Sequence, residues 1–275
     1  MKKVKCPLFV SDFDGTLVKK NGEVSIENKQ AILQYVRDGG IFAVSTGRMP
    51  SGIIPQLKSI GLGGLVSCCQ GAIIVDVDSG EVLLKGALSQ ENAVAVCKKL
   101  EEFNLHVHIY DLDNFYSNMD DEALRLYERG VGTKAKLVLD KPLSEFIQET
   151  NMDVYKILVI VEPQRNAEIY KLLSDLNLPN CTITKSAAYL VEAVNSAYSK
   201  GTAVKFLAEK YGIPIEKTIA IGDQWNDLPM IESAGLGIAV KNAAKELQNQ
   251  SITLAYTNEE NAVAHAIEQY AYTEI

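Results

Sequence analysis

Two aspartates that follow a short apolar run, Asp12 and Asp14, are the residues of this chain most suited to chemistry. The run Leu8-Phe9-Val10 predicts a short buried strand. Because residues i and i+2 of an extended chain point the same way, both carboxylates should project together from the strand's end. Each resists ionising beside the other, and a divalent cation would relieve that repulsion. The alternative is an acidic turn, since Asp-Gly is a common turn pair.

Three further polar positions follow apolar runs or begin a predicted helix. Thr46 follows the run 41–44, and its hydroxyl with nearby backbone amides can hold a phosphate oxygen; capping of the next helix is the alternative. Lys200 begins a helix, where the dipole favours anions, so an anion beside it would explain its position. Asp223 and Asp227 follow a third run, with helix capping by Asp227 as the alternative. Because ligands bind at the carboxyl ends of parallel strands, these positions predict one site.

The elements that must position these residues alternate between strand and helix at both ends of the chain. In the first part, strands are predicted at 8–10, 41–44 and 65–67, helices at 25–38 and 51–60, and a hairpin at 73–76 and 81–84. Strand, helix and strand of this size form a βαβ unit, so the sheet should be parallel. After Lys200 the same alternation resumes, with strands predicted at 218–221 and 237–240 and helices at 200–211, 227–233, 243–248 and 258–270.

The middle of the chain has a different pattern. Helices followed by pairs of strands indicate an α+β module with an antiparallel sheet. The fold class is therefore predicted to be α/β, with a doubly wound, Rossmann-like parallel-sheet core formed by residues 1–84 and 190–275. Residues 85–189 are predicted to form a second domain inserted into that core.

Composition excludes several classes of protein. The 275 residues are 47% hydrophobic, enough for a substantial core, and the net charge of −8 argues against a general nucleic-acid or membrane-surface binder. No run reaches the roughly 18 apolar residues of a membrane span. The five cysteines are odd in number and fit no zinc spacing, which predicts reduced core residues in a cytoplasmic protein.

The four motifs, taken in order, resemble those of the haloacid dehalogenase superfamily, in particular its Cof-type (subfamily IIB) sugar-phosphate phosphatases. A single Asp-x-Asp is weak evidence, whereas all four in order are specific. The resemblance covers essentially the whole chain and implies that the inserted module is a C2B-type cap, which closes over the site and meets the leaving group. The matching pieces are Asp12-Phe13-Asp14-Gly15-Thr16, Ser45-Thr46-Gly47-Arg48, Ser199-Lys200-Gly201 and Gly222-Asp223-Gln224-Trp225-Asn226-Asp227.

The resemblance also implies catalytic and metal-binding roles. Asp12 resembles the nucleophile that becomes an aspartyl phosphate, and Asp14 resembles the general acid that protonates the leaving alcohol and then activates water. Mg²⁺ would be held by Asp12, the backbone carbonyl of Asp14 and Asp223.

The phosphoryl oxygens would be bound by a second group of residues. The side chains implied are those of Thr46, Lys200 and Asn226, together with backbone amides near Phe13 and Gly47. Asp227 resembles an acid behind this site that orients Lys200 or the water molecules on the metal.

Two positions depart from the family's pattern, and the inserted module adds others of interest. Gln70 stands where the family often has asparagine near the substrate, so its longer side chain is expected to alter specificity, and Gln224-Trp225 is unusual within the fourth motif. His106 and His108 lie on one strand face, but no further zinc ligands are apparent. Residues of the inserted module that could contact substrate, with surface or strand-face positions as the alternative, are Tyr110, Asp111, Asp113, Tyr116, Arg125 and Lys156.

Together these features predict a Mg²⁺-dependent phosphoric monoester hydrolase acting on a small phosphorylated metabolite. The resemblance favours a sugar phosphate, with nucleotide-like and cofactor phosphates as the alternatives. One rival is a phosphomutase of the same superfamily, which would return the phosphoryl group to sugar. Another is a phosphate-binding or signalling protein without turnover, which the presence of both Asp12 and Asp14 disfavours. We expect a monomer or small homo-oligomer in the cytoplasm that binds neither nucleic acid nor membrane.

Overall fold

A computed structural model describes residues 3–273. Its strands are β1 (Leu8–Ser11), β2 (Ile41–Ser45), β3 (Leu65–Cys68), β4 (Ile73–Asp76), β5 (Val82–Lys85), β6 (His106–Tyr110), β7 (Phe115–Ser117), β8 (Lys136–Leu137), β9 (Lys156–Ile160), β10 (Cys181–Ala187), β11 (Leu190–Asn195), β12 (Thr218–Gly222), β13 (Leu236–Ala239) and β14 (Ile252–Thr253). Its α-helices are α1 (Ile26–Arg37), α2 (Pro50–Ser59), α3 (Gln90–Glu101), α4 (Glu122–Val131), α5 (Leu143–Thr150), α6 (Asn166–Ser174), α7 (Lys200–Lys210), α8 (Leu228–Ser233), α9 (Lys245–Gln248) and α10 (Ala262–Tyr270).

The core sheet has eight strands in the order β14-β13-β12-β1-β2-β3-β4-β5. The strands from β14 to β3 pair in parallel, while β3, β4 and β5 pair antiparallel. The central strand β1 is buried along its whole length, as the apolar run predicts for a parallel strand covered on both faces. This arrangement confirms the predicted Rossmann-like α/β core and its terminal hairpin.

The inserted module has a six-stranded sheet in the order β10-β11-β9-β6-β7-β8, and all of its pairs except β7 with β8 are antiparallel. Alternate residues divide between its two faces. In β9, Ile157 and Val159 join an apolar cluster with Leu100 of α3 and Ile147 of α5. Lys156 and its neighbours on the opposite face point toward the core domain. We call this module the cap.

One predicted boundary is wrong. The sequence places residues 190–195 in the second core segment, but β11 pairs with β9 and β10, so the cap sheet extends to Asn195. The reason is that an apolar strand is recognisable from its sequence, while the strand that it pairs with depends on the tertiary fold.

Several elements are missing from the prediction or have other limits, because their sequence pattern is short or interrupted. The two-residue strands β8 and β14 are exposed edge strands, too short to show a period. The helix α5 was not predicted, although Leu143 and Ile147 form its buried face. The last helix begins at Ala262 rather than near 258, because Asn261 adopts a left-handed conformation with φ +62°.

Candidate active site

Three predicted site residues stand directly after neighbouring core strands. Asp12 follows β1, Thr46 follows β2 and Asp223 follows β12. Because β12, β1 and β2 are adjacent and parallel, their carboxyl ends meet at one edge of the sheet. The order of strands therefore brings these residues together although they are far apart in the chain.

Lys200 joins the carboxylates at this edge. Its Nζ atom lies 2.5 Å from Oδ1 of Asp12 and 2.5 Å from Oδ1 of Asp227, and its side chain is 1% exposed. Oxygen atoms of Asp12, Asp223 and Asp227 lie within 4.8 Å of one another. The anion expected beside a lysine at a helix start is thus a pair of aspartates.

The start of α7 fixes this lysine. The side chain of Ser199 accepts a hydrogen bond from the Thr202 amide and caps the helix. At Gly201 an added Cβ would lie 2.3 Å from the carbonyl oxygen of Pro229, so only glycine allows α7 to approach α8 this closely. The Ser-Lys-Gly sequence therefore sets both the direction of the lysine and the distance between the helices.

Burial and charge shift the titration of this cluster. Burial raises the pKa of Asp12 well above its ordinary value, although Lys200 acts in the opposite direction. Burial, reinforced by Asp227, raises the pKa of Asp223 to about 7. Burial would lower the pKa of Lys200, but Asp12 and Asp227 outweigh it and the pKa is raised. Burial thus favours the protonated forms of Asp12 and Asp223.

The donor set fits a hard divalent cation. Three buried carboxylates face one lysine, so in their ionised forms they would carry an excess of negative charge that a dication would offset. The carboxylate of Asp227 is already occupied by Lys200 and by the amides of Asp223 and Gln224. Asp223 accepts one side-chain hydrogen bond at each carboxylate oxygen, from Thr16 and Gln224, and Asp12 accepts one from Lys200. These two carboxylates therefore keep more acceptor capacity for a cation than Asp227, which is suited to orienting Lys200 and the loop.

The predicted phosphate-binding residues Thr46, Gly47 and Asn226 all line the same cavity. The hydroxyl of Thr46 accepts a hydrogen bond from the Arg48 amide, and α2 is capped at Met49, so Thr46 is not the helix cap. The side chain of Phe13 is fully buried in the core. For Phe13, a role in phosphate binding therefore rests on its backbone.

Asp14 lines the same cavity as Asp12, and its carboxylate is held by an arginine. Arg48 donates two hydrogen bonds of 2.7 Å to its two carboxylate oxygens, and the same guanidinium donates to the carbonyl oxygen of Gly130 in the cap. The Asp14 side chain is 53% exposed and the Arg48 side chain 9%. Sequence reasoning gave Arg48 no role of its own, although it lies within the second motif.

A cavity of about 710 Å³ separates this cluster from the cap. Its core side contains Asp12, Asp14 and Asp223, and its cap side is formed by α4, β9 and the β10–β11 turn. The cap side is mostly apolar, with walls that include Leu126, Val131, Ile160, Ala187 and Leu190. This arrangement can hold a phosphoryl group at one end and a carbon skeleton at the other.

Of the six predicted cap contacts, Lys156 lines the cavity. Asp111 instead organises its own turn by accepting from the amides of Asp113 and Asn114 and from the Tyr116 hydroxyl. Tyr110 is buried and donates to the hydroxyl of Tyr127, which does line the cavity and was not predicted.

The predicted histidine pair does meet on one face of β6, with the Nε2 atoms of His106 and His108 3.0 Å apart. Burial lowers the pKa of both rings. Over residues 3–273, the group of side chains close enough to hold a metal ion is the aspartate cluster, not this pair.

Core, cap and carboxylate–lysine cluster together define a capped hydrolase of the Rossmann-like α/β class. The chain belongs to the haloacid dehalogenase-like hydrolases, because the model of that family matches residues 9–267. It is 29% identical to phosphatase YwpJ of Bacillus subtilis, over 94% of this chain and 97% of the relative. It is 28% identical to 5-amino-6-(5-phospho-D-ribitylamino)uracil phosphatase YwtE of the same organism, over 94% and 96%.

A solved haloacid dehalogenase-like hydrolase from B. subtilis superposes with a TM-score of 0.87 at 26% identity, covering 96% of this chain and 99% of that one. These likenesses confirm the Cof-type haloacid dehalogenase assignment, and the protein is a phosphatase. Within residues 3–273, no helix has the length and apolar character that crossing a membrane requires.

Proposed function

We propose that this phosphatase hydrolyses a small phosphorylated metabolite by way of a phosphoryl group carried on Asp12. The observation that carries the proposal is the convergence of Lys200 with Asp12, at 2.5 Å, beside Asp223, where both aspartates line the cavity. A carboxylate can approach a phosphate dianion only if positive charge offsets the repulsion, and Lys200 supplies that charge at the nucleophile itself.

In the first half of the reaction, a carboxylate oxygen of Asp12 attacks phosphorus and the bond from phosphorus to the alcohol oxygen breaks. Asp14 gives its proton to the departing alkoxide. Thr46, Lys200, Asn226 and the amide of Gly47 bind the phosphoryl oxygens as charge spreads over them.

In the second half, Asp14 takes a proton from water, and the resulting hydroxide attacks the phosphorus of the aspartyl phosphate. The carboxylate of Asp12 leaves, and inorganic phosphate is released. Arg48 fits this half of the cycle, because its two hydrogen bonds direct the Asp14 carboxylate, which must be unprotonated to take a proton from water, at the cavity wall.

Asp12 and Asp223, with the backbone carbonyl of Asp14, are the residues that would hold Mg²⁺, and Asp227 would orient the loop that carries Asp223. The bound ion would neutralise charge on the substrate phosphate and so favour attack by the anionic nucleophile. The clustering of three buried carboxylates around one lysine supports a divalent cation here.

The proposed substrate is a sugar phosphate, as the sequence resemblance predicts. The apolar cap walls at Leu126, Val131 and Ile160 favour one that carries an apolar or ring-containing portion beyond the phosphate-bearing carbon. The relative named for a phosphoribitylamino-uracil is consistent with such a substrate. The cytoplasmic location and the monomeric or small homo-oligomeric state stay predictions from the sequence.

Replacement of the nucleophile tests the proposal. Asp12→Asn should abolish phosphate release from sugar phosphates with Mg²⁺, while circular dichroism and melting temperature show an intact fold. Asp175→Asn, at an exposed ion pair with Lys171 just after the end of α6, is the matched control and should keep full activity. Turnover retained by Asp12→Asn would refute the nucleophile assignment.

The phosphomutase alternative shares the first half of the reaction and differs in the acceptor. Phosphorus NMR separates the two, since hydrolysis yields inorganic phosphate and transfer yields an isomeric sugar phosphate. We expect inorganic phosphate, and an isomeric product without it would contradict the proposal.

A further inference from the structure

A buried ion pair in the cap lies directly above the site. Lys156 on β9 and Glu192 on β11 have side chains 2% exposed each, with Nζ 3.6 Å from Oε1. Burying two charges is costly unless further hydrogen bonds complete their coordination. The other partners of this pair therefore indicate what it does.

Lys156 reaches out of the cap into the core. Its Nζ donates a 2.6 Å hydrogen bond to the carbonyl oxygen of Gly47, a residue 109 positions away in the loop after β2. That loop also carries Thr46 and is one of the two loops assigned to the phosphoryl oxygens. One end of the ion pair thus fixes the backbone of a phosphate-binding loop.

Glu192 reaches the other phosphate-binding loop through Gln70. The Nε2 of Gln70 donates to Oε2 of Glu192 at 2.6 Å, and the Oε1 of Gln70 accepts from Nδ2 of Asn226 at 2.9 Å. An amide placed between a carboxylate and an amide donor can satisfy both in one orientation only. The chain Glu192–Gln70–Asn226 therefore has a fixed direction.

The position of Gln70 is itself tightly set. Its backbone has φ +62°, a conformation uncommon for residues other than glycine, and its amide donates to the Thr46 carbonyl. A Cβ added at Gly47 would lie 2.6 Å from Gln70 Nε2, so the two loops approach closely here. Gln70 is 3% exposed and does not line the cavity, so it acts through its neighbours.

These contacts set the orientation of the Asn226 side chain. One N–H of its amide is taken by Gln70, which fixes the amide plane and leaves the second N–H for a ligand. Its Oδ1 is buried and has no hydrogen-bond partner within residues 3–273. Without Gln70, nothing in this arrangement would prevent the amide from turning its oxygen toward a phosphate.

We propose that the Lys156–Glu192 pair, with Gln70, is a positioning device that sets both phosphate-binding loops when the cap is closed. The inference rests on the proposed function, because the ligand of these loops is the phosphoryl group. Lys156 holds the Gly47 loop, and Glu192 holds Asn226 through Gln70. Because such coupling is reciprocal, phosphate in the site and closure of the cap favour each other.

Inorganic phosphate is the appropriate probe, since it fills the phosphate end alone and lacks a leaving group to touch the cap walls. Calorimetry of phosphate binding with Mg²⁺ present should give a dissociation constant raised on the order of fivefold to thirtyfold in Gln70→Ala and in Glu192→Gln, comparable to the loss of one hydrogen bond. Glu128→Gln is the matched control, a buried cap glutamate bonded within the cap to Lys134 and Ala135, and should bind phosphate as the wild type does.

A double-mutant cycle separates positioning from general destabilisation. If Gln70 acts through Asn226, Gln70→Ala should add little to the loss caused by Asn226→Ala. Two results would overturn the proposal. One is that the losses of phosphate affinity in the two single variants add fully in the double variant. The other is that Gln70→Ala melts at a lower temperature but binds phosphate within twofold of wild type. If either Gln70→Ala or Glu192→Gln fails to fold, the same cycle with Asn226→Ala is measured with the other variant.

The binding measurement does not depend on turnover. A wild-type protein that binds phosphate but hydrolyses no ester would refute the proposed function and leave the positioning device open to this test. If the wild-type protein hydrolyses esters but substitution of Gln70 and Glu192 leaves the phosphate affinity unchanged, the positioning device alone is refuted.

Discussion

At the scale of single residues, the contact between Arg48 and Asp14 controls the group assigned to proton transfer. A guanidinium holds a carboxylate by two parallel bonds, which fixes its plane as well as its position. The same arginine donates to Gly130 of α4, so Asp14 is also tied to the cap.

Arg48→Lys should therefore lower kcat while changing KM little, because lysine keeps the charge but loses the paired geometry. We expect a decrease on the order of tenfold to a hundredfold, within the range of general acid–base contributions. Steady-state kinetics on one sugar phosphate would measure it. Arg165→Lys, at the exposed pair with Glu168, is the control, and equal effects of the two variants would argue against a positioning role.

At the scale of elements, α4 forms much of the cap wall. Leu126 lines the cavity and is 57% exposed, so its side chain is accessible to a bound substrate. Its replacement should therefore affect the substrate and not the fold.

Leu126→Ser should lower kcat/KM for esters with a ring-containing leaving group by roughly fivefold to thirtyfold, the equivalent of about 1–2 kcal/mol of apolar contact. Inorganic phosphate should bind as before. Leu139→Ser, also in the cap, 59% exposed and outside the cavity wall, is the control. An equal loss of kcat/KM for every ester, or no loss for any ester, would contradict an apolar contact between Leu126 and the leaving group.

The strand β6 carries the second element-scale prediction, the pH dependence of stability. Burial lowers the pKa of His108 well below its ordinary value, with His106 and Lys156 acting in the same direction. Burial also lowers the pKa of His106, partly offset by Asp121, 3.2 Å away. Since the unfolded chain binds these protons more readily, stability is full above about pH 6.5 and falls as the pH decreases below it.

His108→Phe should reduce this dependence, because one buried titrating group is removed and the site is already aromatic, with Phe115 and Tyr127 against the ring. Melting temperatures at pH 7.5 and pH 5.5 would show a smaller decrease than in wild type. His265→Phe, in α10 of the core domain, is the control. A decrease in melting temperature as large as in wild type would show that the cap histidines do not govern the pH dependence of stability.

At the scale of the whole molecule, the aspartate cluster joins distant parts of the chain, so a cation bound there should stabilise the fold. Mg²⁺ at about a hundred times its dissociation constant contributes about 2.7 kcal/mol, which is several degrees of melting temperature. Asp223→Asn should lose most of this shift, and Asp175→Asn should keep it. Excess chelator should abolish activity, and a Mg²⁺ shift unchanged in Asp223→Asn would contradict the assigned ligand.

The apolar runs and the motifs at their ends could be predicted from the sequence, because burial of a strand and the turn that follows it depend on neighbouring residues. The run before Asp12 needed only its own residues to indicate a buried strand, and the Gly-Asp after 218–221 marked another strand end. The sequence was less informative for β8 and β14, which are too short to show a period, and for β11, whose sequence predicts a strand but not the sheet that it joins.

By itself, the sequence determined the α/β class, the inserted module and the residue types of the phosphoryl-transfer site, because those depend on patterns within a few residues. The tertiary structure decided which side chains meet. Lys200 and Asp12 are 188 positions apart, and Gln70 and Glu192 are 122 apart. Such contacts depend on strand order and on how the cap is seated, and no local period in a single chain specifies either.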